Sequence, residues 1–134
     1  TGLHGRWETI HHSPAVLLDV AHNIDGMTQL TEQLEVTEYR HLHIILGMVK
    51  DKEIEKVLAV LPKKASFYFT RAQIPRALPE NELAAKATLC GLQGETFTEV
   101  NAALNSALSK AQPDDLILVC GSVFLVGEVN ALIS

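Results

Sequence analysis

Short apolar runs and longer stretches with helical spacing alternate along the whole chain. Ala15–Val20 is a run of the first kind after Ser13-Pro14 and predicts a buried strand. From about Asp25 to Tyr39, Met27, Leu30, Leu34 and Val36 recur on one side of a helix. His41–Met48 predicts a second strand that stops at Gly47. The next helix is capped by Asp51, carries Ile54, Val57, Leu58 and Leu61 at i, i+3, i+4, i+7 spacing, and ends at Pro62. Ala65–Thr70 predicts a third strand. A loop with Pro75 and Pro79 leads to a helix over Glu80–Cys90, stopped by Gly91. Gly94–Phe97 is a short strand, and Thr98 caps a helix striped by Val100, Ala103, Leu104, Ala107 and Leu108. After the turn Pro113-Asp114-Asp115, Leu116–Cys120 is wholly apolar. Gly121-Ser122 then opens a last helix carrying Phe124, Leu125, Val129 and Leu132.

Five strand–helix alternations of this length predict an α/β fold: a Rossmann-like, mostly parallel sheet of five to six strands with helices on both faces. Residues 6–10 add an edge strand that can run antiparallel. A length of 134 residues fits a single domain over 1–134, with 1–12 as linker and edge strand, and its core needs no disulfide or structural metal.

Eleven Lys and Arg against sixteen Asp and Glu leave a net charge of −5, which argues against a nucleic-acid binder, since that needs a basic face. Aromatic residues at 5% exclude a base-stacking platform. No apolar run reaches the length of about 20 residues that spans a bilayer, and the start is no signal peptide. Cys90 and Cys120 lack metal or redox spacing and read as buried free thiols of a reducing, cytoplasmic compartment. His41 and His43 share one strand face, but two histidines alone make a poor metal site. They read as edge or surface residues, and no metal ligand is expected in the chain.

Ligands of open α/β sheets bind outside the carboxyl ends of the strands. The residues standing there are Asp19, His22 and Asn23; Gly47, Lys50 and Asp51; Arg71 and Arg76; Gly121 and Ser122. Neither G-x-x-x-x-G-K-[ST] nor G-x-G-x-x-G occurs, so the chain lacks the usual phosphate loop and supplies only part of any nucleotide site. Asp19 interrupts an otherwise apolar run, where a carboxylate needs a partner. Loop amides or a ligand hydroxyl such as a ribose would serve. Asn23 and Ser122 fit equally as helix N-caps or as ligand contacts. Arg6, Arg71 and Arg76 are by default solvated.

Several segments, in order, carry a resemblance: Gly5-Arg6-Trp7-Glu8, Asp19-Val20-Ala21-His22-Asn23, Gly47-Met48-Val49-Lys50-Asp51-Lys52, Ile74-Pro75-Arg76-Ala77, and Gly121-Ser122-Val123-Phe124-Leu125-Val126-Gly127-Glu128. Together they resemble the C-terminal domain of folylpolyglutamate synthase / dihydrofolate synthase in the Mur ligase superfamily, over essentially the whole chain. The resemblance implies an ATP-dependent ligase that phosphorylates a carboxylate of dihydropteroate or a folate and lets the amine of L-glutamate attack the acyl phosphate. It implies that Arg6 and Asp19 bind ATP, that His22 is the catalytic residue at the reacting centre, and that Asn23 and Ser122 contact substrate. It also implies an N-terminal P-loop domain that holds the Mg2+ ligands, without which the chain is inactive. The absent P-loop and the start at Thr1 agree with the second half of a longer, monomeric enzyme. Ile24 departs from the family, which often has proline after the Asn; no functional group is lost by it. A muramyl-peptide ligase domain and a stand-alone α/β interaction module remain open alternatives.

Overall fold

The computed structural model describes residues 8–50 and 53–130. Arg6, the Asp51 cap and Leu132 of the sequence reading lie outside them.

Six strands form one sheet in the order β1-β2-β6-β3-β4-β5. They are β1 (Glu8–His12), β2 (Ala15–Leu18), β3 (Leu42–Leu46), β4 (Ala65–Phe69), β5 (Gly94–Thr96) and β6 (Leu116–Cys120). β1 pairs antiparallel with β2, its register shifting between Thr9 and His11; every other pairing is parallel. The α/β sheet and its antiparallel edge strand agree with the sequence reading. The helices are α1 (Ile24–Glu35), α2 (Ile54–Val60), α3 (Glu80–Leu89), α4 (Val100–Lys110) and α5 (Val123–Gly127).

From β2 to β5 the chain steps in one direction across the sheet, so right-handed crossovers put α1, α2 and α3 on one face. The step from β5 back to β6 reverses direction and puts α4 on the other, where α5, after β6, packs through Leu125. The two cores show this division. Met27, Leu30, Ile54, Leu58 and Leu83 pack on Leu42, Ile44, Leu46, Phe67 and Leu118. Val100, Ala103, Leu104 and Leu125 pack on Val16, Ile45, Tyr68, Ile117 and Val119. β3 and β6 are buried at every position, which is why their sequences are continuous apolar runs rather than alternating ones. Each fully buried Leu or Ile contributes about 1.5–3 kcal/mol.

Some boundaries and partners differ from expectation. α1 ends at Glu35, and Val36, 77% exposed, leaves the stripe. α4 is capped by Glu99, whose carboxylate accepts from Asn101 N–H, and not by Thr98, because Glu99 is the residue with extended backbone next to the helix. α2 starts after Glu53 without a side-chain cap. In α5 only Leu125 is buried, and Phe124 is exposed. Cys120 is buried, whereas Cys90 at the end of α3 is only half-buried.

His43 is neither an edge nor a surface residue. It lies in central β3, 4% exposed, inside a polar cluster at the amino edge of the sheet. Its Nε2–H donates to Asp115 Oδ2 at 2.9 Å, and its Nδ1 accepts from the Tyr68 hydroxyl at 2.9 Å. Asp115, its side chain fully buried, also accepts from Arg40 Nε (2.7 Å), Arg40 Nη2 (3.0 Å) and Gln112 N–H (2.9 Å). Beside it, His41 Nε2 meets Ser66 Oγ at 2.8 Å. With a carboxylate on one nitrogen and a hydroxyl donor on the other, the neutral imidazole is fully satisfied. Burial lowers the His43 pKa and outweighs the upward pull of Asp115. The folded state therefore binds fewer protons than the unfolded chain below the ordinary histidine pKa of 6.5. The stability that His43 contributes is complete above pH 6.5 and is lost as the pH falls from there through the lower, folded value. Urea melts between about pH 7 and pH 5 are expected to show this loss, and His43→Gln, which does not titrate, should flatten it. Equal slopes in the two proteins would remove His43 from the pH response.

Candidate functional site

The carboxyl edge of the sheet is built where three strands end side by side. Asp19 N–H donates to Val119 O at 3.0 Å, one residue beyond β2. Gly121 N–H donates to Ala21 O at 2.9 Å, and Gly47 N–H to Cys120 O at 3.3 Å. The ends of β2, β6 and β3 are thus tied into one ledge. β6 separates β2 from β3 although the chain runs directly from one to the other. The sheet reverses its direction of growth at this point, and such reversals leave a crevice at the carboxyl ends.

Asp19, His22 and Asn23 line one cleft of about 480 Å³ there, floored by the start of α1 at Gly26 and Leu30. Asp19 is half-buried, and its Oδ1 accepts from Ala21 N–H at 2.8 Å, which folds the loop back on itself. His22 is exposed, with Nδ1 3.1 Å from Val20 O. A carbonyl can only accept, so Nδ1 carries a proton; of the two neutral tautomers this is the one that leaves Nε2 an acceptor. Asn23 has extended backbone, and its Oδ1 accepts from Gly26 N–H at 2.8 Å, so it is the N-cap of α1, which starts at Ile24 without proline. Helix α1 directs its amino end at this cleft, and its partial positive charge favours an anion or a polar oxygen there.

Ser122 does not line this cleft. It is buried on the adjoining strand end, held next to the Asp19 loop by the Gly121–Ala21 bond. Its Oγ accepts from Phe124 N–H at 3.0 Å, capping α5. Cys120 is buried just before it. Burial first, and the nearby Asp19 carboxylate second, push its thiol pKa up, so the sulfur stays protonated.

The loop after β4 completes the edge. Lys50 N–H donates to Arg76 O and Leu78 N–H to Met48 O, both at 2.8 Å, so this loop runs against the one after β3. Arg76 is exposed at its tip. Arg71 is not simply solvated: its Nε lies 3.2 Å from Glu80 Oε1. The pair is close but not aligned for hydrogen bonding, and that buried oxygen has no hydrogen-bond partner among the described residues. Gln73 and Glu128, also hydrogen-bonded here, escaped the sequence reading of the site. Glu128 stands in the Gly-Ser motif, and that was its only signal.

A larger cleft, about 680 Å³, opens at the opposite edge between Tyr39, Arg40, Asp114 and Asp115. Its walls precede the parallel strands, away from the crevice where parallel sheets bind ligands. Among the described residues no group of three or more His, Cys, Asp or Glu could hold a metal ion, and no helix is long and apolar enough to cross a membrane.

This architecture has relatives. Residues 5–123 match the Mur ligase, glutamate ligase domain. A probable bifunctional folylpolyglutamate synthase/dihydropteroate synthase of Haloferax volcanii is 38% identical over 127 residues, 94% of this chain and 15% of that protein. The bifunctional folylpolyglutamate synthase/dihydrofolate synthase of Yersinia pestis, solved with AMPPNP and a Mn ion, matches with a TM-score of 0.84 at 27% identity, over 98% of this chain and 32% of that one. A structure of such a bifunctional synthase with Mn, AMPPNP and L-glutamate bound gives 0.82 at 28% identity, over 95% of this chain and 30% of that one. The chain therefore spans a third or less of the relatives it matches. Matched along 119 of its 134 residues (5 to 123) and sharing their fold, the chain belongs to the Mur ligase family, as its glutamate ligase domain.

Proposed function

We propose that the chain is the C-terminal part of an ATP-dependent ligase that joins L-glutamate to dihydropteroate or a folate in the cytoplasm. In this reading it works as a monomer with an N-terminal P-loop domain of the same polypeptide. The observation that carries the proposal is the convergence of Asp19, His22 and Asn23 on one cleft at the reversal point of the sheet. The ligands bound in the solved relatives, AMPPNP, Mn and L-glutamate, agree with it.

The chemistry divides into two displacements. A substrate carboxylate oxygen attacks the γ-phosphorus of ATP, and ADP leaves. The free amine of glutamate then attacks the acyl carbon, phosphate leaves with the bonding electrons and takes up the proton the amine gives up, and an amide remains. A divalent ion would neutralise phosphate charge in the first displacement. In this reading its ligands belong to the P-loop domain.

This chain's residues position and shield. Asp19, fixed by its bond to Ala21, offers its carboxylate to the hydroxyls of a ribose. His22 Nε2, left as an acceptor by the Nδ1 bond to Val20, takes a hydrogen bond from the incoming amine and orients its lone pair. Asn23 lies beside them on the substrate side, Ser122 faces the glutamate side, and Arg6 reaches the phosphates when the domains close. Closure also excludes water from the acyl phosphate, which hydrolysis would otherwise waste.

The test is glutamate-dependent release of ADP by the full-length enzyme with dihydropteroate or a folate. Asp19→Ala is expected to raise the KM for ATP about tenfold, the loss of about 1.4 kcal/mol of binding. His22→Ala is expected to lower kcat about a hundredfold, about 2.7 kcal/mol of transition-state stabilisation. Wild-type turnover in His22→Ala, or an unchanged KM for ATP in Asp19→Ala, would sink the corresponding assignment.

A further inference from the structure

Helix α5 is poorly equipped to hold its own position. It has five residues, of which only Leu125 is buried, while Val123 and Phe124 at its start are exposed. So short a helix is not stable by itself in water, yet Ser122 depends on it for its orientation. Hydrophobic packing is scarce, and polar contacts at the far end take its place.

Glu128 ends α5 as its C-cap and is the node of those contacts. Its Oε2 accepts from Gln73 N–H at 2.8 Å. Its carbonyl accepts from Asn101 Nδ2 at 2.9 Å, and Asn101 Oδ1 in turn accepts from Asn130 N–H at 2.8 Å. Gln73 extends the bolt: its Nε2 donates to Thr98 O at 2.8 Å and to Arg71 O at 3.1 Å. The carboxylate of Glu128 thus joins the end of α5 to the loop after β4, although Gln73 and Glu128 lie 55 residues apart, while its main-chain carbonyl holds the start of α4. The Gln73 N–H is a loop amide without a strand partner, and a charged acceptor makes the stronger bond to it.

We propose that Glu128 is a positioning residue: by holding the main-chain N–H of Gln73 it locks α5, and with it Ser122, against the loop that carries Arg71 and Arg76. The proposal rests on the reading that Ser122 faces the glutamate side of the site. Loosening the clasp leaves Asp19 on the ATP side and His22 at the reacting centre where they are, because the bond from Asp19 N–H to Val119 O and the loop bonds of Ala21 and His22 do not involve Glu128.

The experiment uses the full-length enzyme with Glu128→Ala, Glu128→Gln and Ser122→Ala. In Glu128→Ala, hydrogen exchange in peptides spanning residues 70–78 is expected to quicken about fivefold. The KM for glutamate should rise by a similar factor, while kcat and the KM for ATP stay within about twofold of wild type. Glu128→Gln should restore both, since its amide oxygen accepts the same bond. Unchanged exchange in Glu128→Ala overturns the clasp, whether or not the enzyme ligates glutamate. Faster exchange with a wild-type KM for glutamate overturns the positioning role. An unchanged KM for glutamate in Ser122→Ala overturns instead the placement of Ser122 that the proposal builds on.

Discussion

Replacing Asp115 with alanine is expected to destabilise the protein by about 3–5 kcal/mol, a fall in Tm of roughly 10–20 °C for a domain of this size. Four donors converge on this one carboxylate: Arg40 Nε and Nη2, His43 Nε2 and Gln112 N–H. Burial alone would raise its pKa. Hydrogen bonds from Arg40, Gln112 and His43 outweigh that and hold it well below the usual carboxylate range. At neutral pH the group is therefore a fully buried anion with every bond made, and its contribution is lost only as the pH falls below about 4, through the still lower folded value. The alanine variant leaves the buried His43 N–H unpaired beside Tyr68 and takes the acceptor from the Gln112 N–H as well. The Arg40 side chain is 55% exposed and recovers its hydration when the carboxylate is lost, whereas Arg40→Ala leaves the carboxylate two of its four donors and should cost less, about 1–3 kcal/mol. Urea or thermal melts of the two variants measure the difference. Equal losses would mean that the Arg40 ion pair, and not the buried half of the cluster, carries the stability.

That cluster also marks where sequence reasoning stops. Asp115 follows Pro113 and Asp114, and nothing local separates it from an ordinary turn residue. What makes it structural is the register that sets Leu42 opposite Leu116, bringing residue 115 to His43 across the sheet. A hint was present: His43 interrupts the run Leu42–Leu46, and a buried imidazole demands partners. The partner's identity depends on β6 being inserted between β2 and β3. No periodicity encodes strand order. Element type was legible wherever two buried faces impose a continuous apolar run, as in β3 and β6. Boundaries were less so at α4, where Thr98 and Glu99 both have capping side chains and only backbone geometry separates them.

At the candidate site the legible part was local. Asp19 stands out because it breaks an apolar run, and Asn23 and Ser122 because they open helices. In the fold all three also serve the backbone. Asp19 accepts a loop amide, and the other two cap helices. Holding the backbone and holding a ligand are compatible. A side chain pinned by a backbone N–H is already oriented, and its ordering entropy is not charged to ligand binding. The illegible part is long-range. The Gln73–Glu128 bond and the Arg71–Glu80 pair join segments whose proximity follows from topology alone.

Gly121→Ala is expected to cost about 2–6 kcal/mol and to impair glutamate binding as well as stability. Gly121 has φ +112°, a conformation that costs an L residue roughly 1–3 kcal/mol. An added Cβ would also lie 2.3 Å from Gly47 O and 3.0 Å from Leu46 Cδ1. The first of these is backbone and cannot rotate away, so β6 and β3 must separate, adding about 1–3 kcal/mol of overpacking strain. The separation falls on the ledge itself. Gly121 N–H bonds Ala21 O, Gly47 N–H bonds Cys120 O, and Ser122 follows directly, so a shift there moves the Ser122 hydroxyl relative to the Asp19 loop. Gly127 is the matched control. It lies in α5, a short way further along the chain, and a Cβ there meets nothing within 4 Å. Gly127→Ala should be neutral or stabilise by up to about 1 kcal/mol, by restraining the unfolded chain. Melting curves of both variants, with the KM for glutamate in the full-length enzyme, decide the matter. A Gly121→Ala protein that melts with wild type would mean that the two strand ends have room to part, and that their close approach is not what holds the site in shape.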